Sequence, residues 1–118
     1  MRYLLLICND ESAMLARSEA EQAETLAAYG AFQQEMGGRG LLEGGARLRP
    51  TSDATTVRVV EDEVLTGDGP FAETKEQIGG YYLVDCKDLD EAIEVASKIP
   101  NARNGTIEVR PIWEVEMP

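Results

Sequence analysis

The loop at residues 66–80 (TGDGPFAETKEQIGG) contains the residues best suited to acid–base chemistry. Asp68 lies between two glycines, and Glu73 and Lys75 follow it closely along the same loop. A carboxylate beside an ammonium group is a common arrangement for tuning a general acid or base. We therefore predict Asp68 as the catalytic acid or base. The ligand-binding candidates on this loop are Phe71, Glu73 and Lys75.

The same loop also has a purely structural interpretation. Gly67 and Gly69 permit positive φ angles, and Pro70 fixes its own φ near about −65°. The carboxylate of Asp68 can bond to the backbone two residues further on, and Phe71 would then anchor the loop by burying its ring. The sequence leaves two possibilities open, a rigid turn and a turn that directs Asp68 into a pocket between the sheet and the first helix.

Two arginines and a tyrosine extend the candidate site. Arg58 and Arg110 each occupy a mid-strand position, where a guanidinium can hold an anionic ligand through two hydrogen bonds. Tyr81 supplies a phenol that can donate a proton or polarise a carbonyl, although strand tyrosines also serve as core or interface aromatics. Carboxylates that could instead pair with these arginines across a sheet are Glu43, Glu108 and Asp85.

The composition excludes several functional classes. Eleven Lys and Arg residues against 22 Asp and Glu residues give a net charge of −11, and the chain has no histidine. Such a charge repels nucleic-acid phosphates, so we expect no nucleic-acid partner. Histidine-dependent hydrolysis and histidine-bound zinc or haem are excluded. We predict no metal and no cofactor, because the chain also has no GxGxxG, Walker A or EF-hand pattern.

Cysteine usage and hydropathy indicate an ordinary cytosolic protein. Cys8 and Cys86 form no CxxC motif, so we expect free thiols at opposite ends of the sheet. The longest apolar run, residues 3–8, is far shorter than the roughly 20 residues that cross a bilayer. We therefore predict a cytoplasmic location and no membrane partner.

Turn and periodicity signals divide the chain into six strands and two helices, which we assign to a single domain at residues 1–118. The predicted strands are Arg2–Cys8, Leu41–Leu48, Thr55–Val60, Val64–Thr66, Gly79–Cys86 and Thr106–Arg110. One helix follows a turn at Asn9–Ser12 and runs to Gly37–Gly38, and a second runs from Asp88 to Pro100. Without the hairpin at residues 55–66, the order is βαββαβ, the antiparallel α+β arrangement of the ferredoxin-like fold.

The first strand is apolar on both of its faces. Tyr3, Leu5 and Ile7 point one way, whereas Leu4, Leu6 and Cys8 point the other way. Tyr81 and Leu83 are likewise opposed to Tyr82 and Val84. Two helices on one side can cover only one face of such a sheet. We therefore predict a two-fold homodimer that packs sheet against sheet.

Motifs along the whole chain resemble one protein family. The chain contains DGPF, AETKE and GGYY in this order and closes with Glu108-Val109-Arg110-Pro111, after an earlier Gly40–Gly45 segment and Thr56-Val57-Arg58. This pattern is similar to the DGPF subgroup of the YCII-related family. The resemblance implies a dimeric α+β barrel of ferredoxin-like subunits, in agreement with the two-faced strands.

The resemblance implies two classes of function. Relatives of the subgroup are associated with extracytoplasmic-function sigma factors, which favours a ligand-binding or regulatory module. The wider family resembles small lyases and isomerases with a His–Asp pair, which a chain without histidine lacks. The alternative is thus a cofactor-free lyase or isomerase of a small carbonyl or aromatic compound with Asp68 as acid or base.

Overall fold

A computed structural model of the chain describes residues 1–116 and shows an α+β fold. The strands are β1 (Arg2–Asn9), β2 (Leu42–Arg47), β3 (Thr55–Val60), β4 (Glu63–Asp68), β5 (Gln77–Asp85) and β6 (Thr106–Pro111). The helices are α1 (Glu11–Leu15), α2 (Glu19–Gly38) and α3 (Leu89–Ser97), with short 3₁₀ turns at Thr51–Asp53 and Pro100–Ala102.

Four strands form an antiparallel sheet in the order β2-β5-β1-β6. Strands β3 and β4 form a separate two-stranded hairpin, inserted between β2 and β5. The predicted ferredoxin-like arrangement with an extra hairpin is confirmed. Strand β2 is irregular at its glycines, because the register with β5 shifts between Leu42 and Gly44.

The helices cover one face of the sheet, which we call the inner face. In β1 the inner residues Tyr3, Leu5 and Ile7 are at most 6% exposed. They pack in the hydrophobic core with residues of β5, α2 and α3 and of the segments that follow β5 and α3, namely Tyr82, Val84, Cys86, Phe32, Met36, Ala92, Val95, Ala96 and Ile99. Asp88 caps the start of α3, because its carboxylate accepts a hydrogen bond from the amide of Glu91 at 2.9 Å.

The predicted single helix after β1 is wrong, because the chain breaks between α1 and α2. Asp10 caps α1, and Ser18 then starts α2 with a full capping box. The hydroxyl of Ser18 accepts a hydrogen bond from the amide of Glu21, and the carboxylate of Glu21 accepts one from the amide of Ser18 at 3.1 Å. These hydrogen bonds to its carboxylate lower the pKa of Glu21.

The opposite face of the sheet, the outer face, is not covered by any helix or strand among residues 1–116. Leu4, Leu6 and Cys8 of β1 remain half-buried there, beside Tyr81 and Leu83 of β5. The edge strand β2 contributes Gly44 and Ala46 to this face, and β6 contributes Glu108 and Arg110. The outer face therefore has an apolar centre, one edge of small residues and one charged edge.

The hairpin of β3 and β4, residues 55–68, is called the arm. Its two strands are joined by Glu61 and Asp62, whose φ angles of 50° and 67° give the left-handed turn that suits a two-residue hairpin. The amide of Gly69 donates to the carbonyl of Ala54 at 2.8 Å and closes the base of the arm. The arm is longer than predicted, because pairing extends to Asp68 opposite Thr55.

The two thiols lie far apart, as predicted. Cys8 pairs in register with Ile78 at one end of the sheet, whereas the amide of Cys86 donates to the carbonyl of Met1 at the other end. Both cysteines are free, and burial raises the pKa of each thiol. Within residues 1–116, no helix is long and apolar enough to cross a membrane.

Candidate functional site

The sequence-predicted loop lies at the surface of the chain. Asp68 is the exposed last residue of β4, and Glu73 and Lys75 are exposed in the segment between β4 and β5. The ring of Phe71 is 94% exposed. The expectation that Phe71 anchors the loop by burying its ring is therefore wrong within a single chain, because no side chain of residues 1–116 covers it.

The other predicted residues are spread over the arm and the outer face. In the register of the arm, Asp68 shares a face with Val64 and Thr55, whereas Arg58 lies on the opposite face beside Leu65. Arg110 is exposed and forms an ion pair with Glu108 at 2.6 Å. Tyr81 lies on the outer face opposite Leu6. Within one chain the structure therefore does not bring Asp68, Arg58 and Arg110 together.

A groove of about 840 Å³ lies elsewhere, between α2 and the edge of the sheet at β2. It exists because α2 has buried residues, Phe32 and Met36, in its second half alone. The first half of α2 therefore lies above the sheet without closing on it. Beneath it, the inner face of β2 presents Gly45, which has no side chain to fill the space, together with the backbone of Gly44 and Ala46. A volume of this size suits a small organic ligand.

The floor of the groove depends on glycine at two positions. A Cβ atom built on Gly45 would lie 2.6 Å from Cδ1 of Tyr82, and one on Gly80 would lie 2.9 Å from the carbonyl oxygen of Ala46. The absence of a side chain at Gly45 allows the ring of Tyr82 to lie directly against β2. The ring also packs against Phe32, with centroids 5.1 Å apart.

Two phenols and two amides form the polar wall. The hydroxyl of Tyr29 donates to Oδ1 of buried Asn101, whose Nδ2 in turn donates to Asn104 at 3.0 Å. Nε2 of Gln33 donates to the hydroxyl of Tyr82 at 2.8 Å. No acceptor among residues 1–116 takes the hydroxyl proton of Tyr82. That proton is available to an acceptor atom of a ligand in the groove.

Burial raises the pKa of Tyr29 to about 12, and the neighbouring phenol of Tyr82 adds to the rise. A backbone hydrogen bond with Asn101 and the positive charges of Arg47 and Arg17 act in the opposite direction. Tyr29 is therefore protonated at neutral pH. It acts as a hydrogen-bond donor there and not as a base.

Two arginines at the groove have no carboxylate partner among residues 1–116. Arg47 projects from β2 onto the inner face, in register with Gly80. The guanidinium of Arg17 donates to the hydroxyl of Thr25 at 3.4 Å and forms no ion pair, although its charge contributes to lowering the pKa of Glu21. Arg49, which also lines the groove, is paired with Asp53 at 2.9 Å.

Carboxylates line the groove as well. Glu11 accepts hydrogen bonds from the amide and the hydroxyl of Thr51, and Glu43 lies 3.7 Å from Arg2. Glu19 is exposed at the start of α2. The part of the chain that the structure describes holds no group of three or more side chains that could bind a metal ion.

The groove residues escaped the sequence-based prediction because they come from four separate parts of the chain. One signal was available in the sequence. Gly45, on the inner face of β2, lies beneath a helix whose first half is almost entirely polar or small. Small residues on both sides of a helix–sheet contact leave space, and that space was not foreseen.

Comparison with known proteins gives a consistent result. Residues 1–116 match the family model of the YCII-related domain. The chain is also 44% identical over 114 residues to an uncharacterized protein of Rhizobium meliloti (strain 1021), covering 95% of this chain and 92% of that protein. The chain therefore belongs to the YCII-related family.

Proposed function

We propose that this YCII-related protein is a homodimeric small-ligand-binding module, and that its groove binds a small organic anion with an apolar body. One observation carries this proposal. Arg17 and Arg47 flank the groove without carboxylate partners, although the chain as a whole has twice as many acidic as basic residues. A guanidinium without a partner is well placed to pair with a carboxylate or phosphate of a ligand.

The remaining lining suits the rest of such a ligand. The side chains of Leu15 and Leu26 face the groove and are 64% and 67% exposed. Contact with these side chains would remove apolar surface of both partners from water. The free hydroxyl proton of Tyr82 supplies a directional contact for an oxygen of the ligand.

The homodimer is supported by the surface of the single chain. The chain exposes 8533 Å², whereas a compact monomer of this mass exposes about 6,300 Å². The excess of about 2,200 Å² is larger than the roughly 800 Å² that each partner buries in a typical stable interface. The half-buried residues of the outer face, including Leu4, Leu6 and Leu83, supply an apolar surface for sheet-to-sheet packing.

The finer assignments stay predictions. They comprise the DGPF subgroup, a cytoplasmic location and a regulatory link to sigma-factor-dependent transcription. The alternative activity, a cofactor-free lyase or isomerase, requires Asp68 as acid or base. Within one chain Asp68 lies on the arm and does not line the groove, so the enzyme would need an active site built at the loop itself.

The groove is tested by ligand binding to matched arginine variants. We expect a panel of small aromatic and aliphatic carboxylates to include one that raises the melting temperature and binds in calorimetry. Arg47→Gln should weaken that ligand about tenfold, because a charge-assisted contact contributes on the order of 1.5–3 kcal/mol. Arg103→Gln, an exposed arginine outside the groove, is the control and should leave the affinity unchanged.

A third variant distinguishes the groove from the loop. Asp68→Asn should bind the same ligand with wild-type affinity if the groove is the site. A ligand that is weakened by Asp68→Asn and unaffected by Arg47→Gln would refute the groove and support the sequence-predicted site at the loop.

A further inference from the structure

The arm carries an apolar face that its own chain does not cover. In the register of β3 and β4, Val57, Val59 and Val64 share one face, and they are 63%, 66% and 67% exposed. The opposite face carries the charged residues Arg58 and Glu63. The valine face carries one charged residue, Asp68 at the base of the arm, so its apolar centre has charge only at its margin, as in a typical interface.

We propose that the arm of one chain packs with this valine face against a second copy of the chain, alongside the outer face of the partner's sheet. The proposal rests on the homodimer of the proposed function and goes beyond it, since sheet-to-sheet packing alone does not involve the arm.

The arm does not find this cover within its own chain. Among residues 1–116, no helix or strand outside the hairpin packs extensively on β3 or β4. The radius of gyration is 16.4 Å, compared with about 13.5 Å for a compact domain of this length. A lone two-stranded hairpin is marginally stable in water. An arm of regular hydrogen-bonded strands that projects from the body therefore requires another surface to hold it.

A second copy provides that surface. The excess exposed area of about 2,200 Å² per chain includes both the valine face and the outer face, so that one symmetric contact can bury both. The outer face offers aliphatic residues of matching character, among them Leu4, Leu6 and the 46% exposed Ile78. Phe71, fully exposed just beyond the base of the arm, would be drawn into the same contact.

Hydrogen exchange followed by mass spectrometry tests where the arm lies. We expect amides of residues 55–68 to be protected at high protein concentration and to lose about tenfold of that protection when dilution dissociates the dimer. Peptides of the inner core, such as those of α3, serve as the internal reference and should keep their protection. An arm that exchanges equally fast at both concentrations, while β1 becomes protected in the dimer, would overturn the proposal and leave the homodimer standing.

A matched pair of variants tests which face is used. Val59→Thr combined with Val64→Thr keeps the β-branched shape and removes apolar contact, so the dimer dissociation constant should rise about 30-fold. Val60→Thr makes the same chemical change on the opposite face and should alter the constant less than about threefold. Equal dimer dissociation constants for the double variant and for Val60→Thr would refute docking through the valine face. Binding of a carboxylate in the groove is measured in a separate experiment. A failure of the carboxylate to bind would contradict the proposed ligand, but not the proposed docking of the arm.

Discussion

The two faces of β1 have nearly the same hydrophobicity and very different surroundings. Leu5 is fully buried under the helices, whereas Leu4, its neighbour in sequence, is half-buried on the outer face. The strand itself therefore does not determine which face is covered. The rest of the chain supplies one layer of helices, and in the proposed homodimer the second chain would cover the other apolar face.

The largest expected effect comes from truncating the covered face. Leu5→Ala should lower the free energy of unfolding by roughly 2–5 kcal/mol, because it leaves a cavity in a closely packed core. Urea denaturation followed by circular dichroism measures this loss, which should be the same at every protein concentration.

Leu4→Ala is the matched control on the outer face. Its cost should be small in dilute protein and should grow as the concentration rises, because the lost contact is one between chains. A concentration-independent loss for Leu4→Ala as large as that of Leu5→Ala would show that the two faces do not differ in this way.

An intermediate effect is expected where the covered face opens into the groove. Gly45→Ala places a methyl group against the ring of Tyr82 and the carbonyl of Tyr81, 2.7 Å away, and the overpacking should cost about 1–3 kcal/mol. Gly44→Ala is the control, because Gly44 lies on the outer face and the added methyl group would meet no atom within 4 Å in a single chain. Thermal unfolding measures the stability of both variants. Equal melting temperatures for the two variants would contradict the flat floor of the groove.

The smallest effect is a dependence of folding stability on pH, which arises from Tyr29 on the covered face. The pKa of Tyr29 is about 12 in the folded chain, compared with its ordinary value of 10.0. The folded state therefore holds this proton more tightly, and the corresponding stability is present below pH 10 and is lost as the pH rises toward 12. Titration of phenolate absorbance should show one late-titrating tyrosine that disappears in Tyr29→Phe. Tyr81→Phe is the control, and an unchanged late step in Tyr29→Phe would refute the assignment.

Local signals in the sequence predicted the strands, the hairpin and the start of α3, because each of these depends on neighbouring residues. Alternation of apolar residues predicted both faces of β1, and Asp88 with Glu91 predicted the helix start. The break before α2 was missed because apolar spacing alone does not reveal the capping box of Ser18 and Glu21.

The groove could not be predicted in the same way. Tyr29 meets Asn101 across 72 residues, and Gln33 meets Tyr82 across 49 residues. Arg47 has no sequence neighbour that distinguishes it from a solvated arginine. The sequence emphasised the loop around Asp68 because its residues are adjacent in the chain, whereas the structure assembles the groove from residues that are adjacent only in space.

The position of β1 at the centre of the sheet has a consequence for how the chain reaches its native state. Its hydrogen-bonded neighbours are β5 and β6, and even the nearest pair, Asn9 and Gln77, is separated by 68 residues. Such distant pairing slows folding, because a long loop must close before the strand gains any hydrogen-bonded partner strand. During synthesis the apolar segment from Tyr3 to Cys8 therefore stays unpaired until β5 has left the ribosome. This segment is where we expect aggregation of incomplete chains to begin.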